Sequence, residues 1–195
     1  MELNLHAISE CSLSNGPGKR FVIWFQGCTL NCPGCFNPTA HSSDKNILIK
    51  SADLISLILQ NSDSLEGISI SGGEPFQQAQ GLFKFLSELK IKTNLSVLIF
   101  SGYILDEINN IKQGKEILNL TDILVAGRYK ENMKSFDNLL GSSNQVIHFL
   151  SDHYSSKDLS NIPEAEIIID KKGNIVFTGI NPLPDLTNAS NLNVK

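Results

Sequence analysis

The sequence predicts an α/β fold, an open partial barrel of βα units followed by a C-terminal β-hairpin. Three observations lead there. Apolar, strand-like runs alternate with stretches of helical periodicity between residues 21 and 126, the pattern of βαβ units and a parallel sheet. The chain has 195 residues and about five such units, short of the roughly 250 residues of an eight-unit barrel. Near the end, Lys171-Lys172-Gly173 separates two short apolar runs, as the turn of a hairpin does. With 41% hydrophobic and 18% charged residues, the composition is that of one globular domain. We assign that domain to residues 1–182 and expect a polar, loose tail at 183–195.

Taken in order, residues 3–9 are expected to form a short edge strand, and Asn15-Gly16-Pro17-Gly18 a turn, because glycine and proline punctuate it. Phe21 to Gln26 is a continuous apolar run of the kind buried on both faces of a sheet. Leu54, Ile55, Leu57, Ile58 and Leu59 give the segment Ser51 to Gln60 a wide apolar helical face. Gly67 to Ser71 is a second strand running into Gly72-Gly73-Glu74-Pro75-Phe76. The helix after it, Gln77 to Leu89, carries Leu82, Phe83, Phe85, Leu86 and Leu89 on one side. Leu95 to Phe100 is a third strand, Ile104 to Ile111 a helix, and Asp122 to Ala126 a fourth strand. A polar loop, Gly141-Ser142-Ser143-Asn144-Gln145, precedes a fifth strand at Val146 to Leu150. The hairpin strands are Glu166 to Asp170 and Asn174 to Thr178.

A formal charge of −4 leaves no basic footprint and disfavours a nucleic-acid partner. No apolar run approaches a membrane span, and Met1-Glu2-Leu3-Asn4-Leu5 lacks the basic and apolar regions of a signal peptide. Clustered cysteines without such a signal point to the cytoplasm.

Three of the four cysteines lie in Gly27-Cys28-Thr29-Leu30-Asn31-Cys32-Pro33-Gly34-Cys35, spaced C-x3-C-x2-C. Thiolates packed this closely in a loop are ligands for a soft metal or an iron–sulfur cluster. A closed zinc site or a simple electron-transfer cluster takes four protein ligands; a four-iron cluster on three cysteines would keep one iron open to a small molecule. His41 stands six residues after Cys35 and would complete a Cys3His zinc site, the competing reading. A disulfide framework fits poorly in a long, cysteine-poor chain. Cys11 is expected to be a small buried apolar residue rather than a fourth ligand. His6, His41, His148 and His153 show no metal-ligand spacing among themselves.

In parallel α/β folds, chemistry gathers at the C-terminal ends of strands. The cysteine loop follows the first inner strand and Gly72-Gly73-Glu74-Pro75 follows the second, so both motifs arrive at one sheet edge. Gly72 and Gly73 allow close backbone approach to a ligand and Pro75 fixes the turn. In a plainer reading Glu74 only favours the dipole of the helix that follows.

These words, together with Gly16-Pro17-Gly18-Lys19-Arg20, Gln26-Gly27-Cys28 and Cys35-Phe36-Asn37-Pro38, resemble the radical S-adenosylmethionine enzymes. Among them they are most similar to the glycyl-radical-enzyme activases, in particular the activating proteins of anaerobic ribonucleoside-triphosphate reductase. The resemblance runs from Asn15 to about Leu150; the longer tail is similar to a single-cluster side branch of that family, and four cysteines leave no room for a multi-cluster insertion. It implies a partial barrel of the radical S-adenosylmethionine type, whose open side admits a large partner. It also implies a [4Fe-4S] cluster on Cys28, Cys32 and Cys35, with S-adenosyl-L-methionine bound at the open iron through its amino and carboxylate groups. Reductive cleavage would give methionine and a 5′-deoxyadenosyl radical, which takes a hydrogen from one glycine Cα of the partner enzyme. A low-potential donor such as flavodoxin or ferredoxin would supply the electron.

Residue by residue, the resemblance places Gly72, Gly73, Glu74 and Pro75 at the cofactor's amino group and Ser101, with Gly102, at its methionine or ribose end. Phe36 joins Trp24 and Phe25 as candidates for a dry wall, the last two being more simply core. Arg20 and Arg128 are candidates for a positive charge near the cofactor carboxylate; the resemblance assigns no role to Asn144 and Gln145, and no catalytic side chain beyond the cluster. Two further functions stay open: a radical enzyme acting on a small molecule or modified peptide, and a non-catalytic metal-binding or electron-transfer module.

Overall fold

The computed structural model describes residues 1–135, 137, 139–169 and 175–179. Seven strands form one mixed sheet: β1 (Glu2–Ser12), β2 (Arg20–Phe25), β3 (Ile47–Lys50), β4 (Gly67–Gly72), β5 (Ser96–Ser101), β6 (Ile123–Ala126) and β7 (Val146–Phe149). Their order is β3-β1-β2-β4-β5-β6-β7. The inner strands β2, β4, β5 and β6 are parallel, as expected from the βα alternation. The flanking strands are not: β1 runs antiparallel to β2, β3 to β1, and β7 to β6.

One expectation is corrected here. Residues 3–9 do not form an edge strand, because β1 is longer and pairs on both sides; the edge is β3, a run the sequence did not announce. The helices α1 (Ser51–Leu59) and α2 (Ala79–Lys92) fall where periodicity put them, a 3-10 turn at Pro75–Gln78 preceding α2. The helix expected at Ile104 to Ile111 is α3 (Leu105–Asn109), and a further short helix, α4 (Gly114–Leu118), follows that the sequence does not mark.

Strand alternation sorts the two faces of the sheet. Phe21, Ile23 and Phe25 of β2, Ile68 and Ile70 of β4, and Val97 and Ile99 of β5 pack with Leu54, Ile58, Leu82, Phe85, Leu86, Ile108 and Ile117 of the helices. Every one of these side chains is fully buried, and burial of this kind is worth about 1.5–3 kcal/mol for each large apolar side chain. The intervening residues point the other way. Leu98, Ile123 and Val125 meet Leu139, Tyr154 and Leu159 in a second, smaller cluster, whereas Trp24, Ser71 and Phe100 face a cavity. The helices thus cover one face, and the chemistry-bearing residues collect on the other.

The C-terminal hairpin is present as β8 (Ala165–Ile169) and β9 (Ile175–Gly179), which pair antiparallel with each other and with no other described strand. Its expected turn, Lys171-Lys172-Gly173, and the expected tail at 183–195 lie outside the described residues. No described helix is long and apolar enough to cross a membrane.

Candidate metal and cofactor site

The loop after β2 leaves the sheet through Gly27 (φ 98°) and turns again at Asn31 (φ 48°) and Gly34 (φ 69°), left-handed values that favour Gly and Asn. Its backbone is pinned at both ends. Gly27 N–H donates to Ala40 O at 2.8 Å and Cys28 N–H to His41 O at 3.1 Å. Gln77 clamps the middle, its Oε1 accepting from Thr29 N–H at 3.2 Å and its Nε2 donating to Thr29 Oγ1 at 2.7 Å.

The end of β4 meets this loop directly. Gly73 N–H donates to Phe25 O at 2.7 Å and Glu74 N–H to Gly27 O at 2.9 Å. A Cβ on Gly73 would stand 2.3 Å from Gly27 O, and one on Gly72 (φ 100°) 2.4 Å from Phe25 N. Both positions therefore require glycine, and the two motifs that the sequence placed at one sheet edge are in backbone contact.

Glu74 is buried and its carboxylate is spent on the neighbouring strand. Oε1 accepts from Ser101 Oγ at 2.9 Å and from Phe76 N–H at 3.1 Å, and Oε2 from Gly102 N–H at 2.8 Å. Burial pushes this carboxyl up to about 7, against the pull of those three donors. In place of the helix-dipole role of the plainer expectation, the Phe76 contact makes Glu74 the cap of the 3-10 turn at Pro75–Gln78, ahead of α2.

Cys28, Cys32 and Cys35 are half-buried and line one cavity of about 410 Å³ together with Gly72, Gly73, Glu74, Ser101 and Phe36. Trp24, Leu30 and Phe100 supply apolar wall. Burial pushes all three thiols above the ordinary cysteine range; Cys35 adds to the effect at Cys32, and Arg128 opposes it there. Among the described residues no group of three or more Cys, His, Asp or Glu is drawn together tightly enough for a single ion. A cluster instead spreads its thiolates over separate irons. Three thiols on one cavity, apolar walls, and a glycine cradle that a Cβ would obstruct make a donor set that fits a cluster with a small ligand beside it.

Other expected positions fall differently. Pro75 is buried at the start of the 3-10 turn and is not among the cavity residues. Phe36 is 43% exposed and stacks on Tyr129, ring centroids 4.6 Å apart. Phe25 belongs to the helix-side core and Trp24 to the cavity. Cys11 is exposed rather than buried.

Arg20 is corrected outright. It opens β2, at the strand end opposite the cysteine loop, and is fully buried, donating to Ser69 Oγ at 2.7 Å and Ile68 O at 2.6 Å. It is not among the cavity residues. Arg128 follows β6 on the site side, pairs with Glu107 and lies 5.3 Å from the Tyr103 ring centroid.

Gln77 is not singled out by sequence reasoning, His6, Asn144 and Gln145 are named there without a role, and His41 is the residue of the competing zinc reading. His6 and His41 line the cavity, His6 Nδ1 standing 2.9 Å from Gln26 Oε1. Gln145 Oε1 accepts from Gly141 N–H at 2.9 Å while its Nε2 donates to Gly127 O at 2.9 Å, tying the polar loop to the end of β6. Asn144 Nδ2 donates to Arg128 O at 2.9 Å. The signal for Gln77 was available, as a polar side chain directly after Gly-Gly-Glu-Pro-Phe at a helix start.

Comparison with known proteins agrees with this geometry. A family model described as a 4Fe-4S single cluster domain matches residues 14–148. The anaerobic ribonucleoside-triphosphate reductase-activating protein of Escherichia coli K12 is 29% identical over 155 residues, covering 76% of this chain and 99% of that protein. Its Salmonella typhi counterpart is 30% identical over 157 residues, with the same coverage. The pyruvate formate-lyase-activating enzyme of Staphylococcus aureus is 33% identical over 92 residues, 45% of this chain and 37% of that enzyme.

Proposed function

We infer the function from the premise that this chain belongs to the 4Fe-4S single cluster domain family, as a homologue of the anaerobic ribonucleoside-triphosphate reductase-activating proteins. It is a radical S-adenosylmethionine enzyme of the activase type, with a [4Fe-4S] cluster and S-adenosylmethionine as cofactors. Bound together and reduced by one electron, these supply a 5′-deoxyadenosyl radical. The product is a glycyl radical on a partner enzyme, for which anaerobic ribonucleoside-triphosphate reductase is the candidate we favour, since the relatives that span the matched region carry that name.

The observation that carries the reading is the 2.9 Å hydrogen bond from Glu74 N–H to Gly27 O, which joins the thiol loop to the glycine cradle on one cavity. Cys28, Cys32 and Cys35 would hold the cluster, leaving one iron for the cofactor. The bare backbone at Gly72 and Gly73 would face the cofactor's amino group. Glu74 positions this edge rather than binding first, because its oxygens are occupied by Ser101, Gly102 and Phe76. Trp24, Leu30 and Phe100 keep water from the reacting atoms. Gln145 holds the loop after β6 in place.

A one-sided helix layer over an open sheet supports the open partial barrel. Glu166 and Thr178 join the hairpin to residues 12–15, which supports a single domain through the hairpin. The electron would come from a low-potential flavodoxin or ferredoxin, and the reducing cytoplasm is the compartment that suits such chemistry. The test is to incubate the iron-loaded protein with reductant, S-adenosylmethionine and the reductase. A glycyl EPR signal on the reductase is expected; cofactor cleavage without that signal would reject this partner.

A further inference from the structure

We propose that the β8–β9 hairpin is a specificity-determining wall of the reaction cavity, with Phe177 the side chain that meets the partner's incoming peptide segment. The proposal rests on the functional reading above and concerns a part of the chain beyond the matched family span, which ends at residue 148.

Phe177, Thr178 and Gly179 line the same cavity as the three cysteines. The strand register distinguishes the two sides of the hairpin. Glu166 lies opposite Thr178 and Ile167 opposite Phe177, and residues directly opposite in an antiparallel pair project to the same side. The Glu166–Thr178 side is fastened to the β1–β2 connection. Glu166 Oε2 accepts from Ser12 Oγ at 2.7 Å and Leu13 N–H at 3.0 Å, and Asn15 Nδ2 donates to Thr178 Oγ1 at 2.8 Å. The opposite side is apolar, with Ile167 47% and Ile169 67% exposed beside Phe177. Since β8 and β9 pair with no other described strand, and a lone hairpin is marginal in water, the Glu166 and Thr178 contacts hold this wall in position.

The chemistry of the wall selects the class of substrate. Among the described residues that line the cavity there is no Lys or Arg, so a phosphorylated metabolite or nucleotide would enter without a counter-charge, which is costly. A neutral peptide segment needs none. Its apolar side chains can lie on Phe177 while a glycine, which has no side chain to clash, advances toward the cysteines.

Two substitutions separate the wall from the cofactor site: Phe177→Ala, on the apolar side, and Glu166→Ala, on the fastened side, Glu166 itself not being among the cavity residues. Fluorescence anisotropy reads the binding of a labelled peptide spanning the reductase glycine to the metal-free chain. Steady-state assays of the iron-loaded protein read KM and kcat for the reductase, and release of 5′-deoxyadenosine without it. Each substitution is expected to weaken peptide binding and raise KM by about tenfold, with kcat within about twofold. Phe177→Leu should recover most of the affinity, and Glu166→Ala should release 5′-deoxyadenosine at the wild-type rate. Peptide affinity and KM indifferent to both substitutions would overturn the inference alone. Absence of 5′-deoxyadenosine from the wild-type protein would overturn the functional reading, and the inference with it.

Discussion

Ser101 Oγ donates to Glu74 Oε1 at 2.9 Å, so a hydroxyl at the end of β5 holds the carboxylate at the end of β4. The same oxygen accepts Tyr103 N–H at 3.0 Å, which makes Ser101 the knot between two strand ends and the turn after them. Ser101→Ala should lower the stability of the metal-free protein by about 1–3 kcal/mol, the cost of stranding buried polar groups. Urea unfolding measures it. Cofactor affinity should weaken as well, because the edge that Glu74 positions is loosened.

Glu74 itself predicts a pH dependence. Its carboxyl is raised from an ordinary 4.5 to about 7, chiefly by burial. Between those values the native chain keeps a proton that the unfolded chain has released, so this group's contribution makes stability fall as pH rises through the window. The loss should be on the order of a few kcal/mol, complete above the native value. Glu74→Gln should flatten that slope in urea melts between pH 4.5 and 8. It should also lower stability throughout, because an amide N–H would then face a donor.

Gly73→Ala should separate the two motifs. The new Cβ would stand 2.3 Å from Gly27 O, a backbone atom that can retreat only by breaking its bond from Glu74 N–H. We expect roughly 1–3 kcal/mol of destabilisation and loss of most S-adenosylmethionine binding, read by equilibrium dialysis of the iron-loaded protein.

The cysteines divide three to one. Cys28→Ser, Cys32→Ser or Cys35→Ser should each abolish the four-iron signal after anaerobic reconstitution, and iron analysis should fall accordingly. Cys11→Ser should leave iron content unchanged, because Cys11 is exposed on β1 and lines no part of the cavity.

Much of this was legible in the residues. The parallel inner strands announced themselves as buried apolar runs, and Gly72-Gly73 as a place where backbone meets backbone. Of the flanking strands, β1 and β7 were legible as strands and β3 was not. Ile47–Lys50 is only four residues long and finds its partner, β1, some forty residues earlier, so no local periodicity marks it. The unexpected helix α4 is five residues long, too short for a helical stripe. Arg20 opens β2 and the cysteine loop follows that strand, so the two lie at its opposite ends. Gln77, Gln145 and Glu166 act through backbone and long-range contacts, which sequence spacing does not encode.

The most direct test of the central claim is EPR of the anaerobically reconstituted and reduced protein, with and without S-adenosylmethionine, alongside an assay for 5′-deoxyadenosine. The account predicts a four-iron signal that shifts when the cofactor is added, with 5′-deoxyadenosine released. A cluster indifferent to the cofactor, or a tightly held zinc ion in its place, would contradict it.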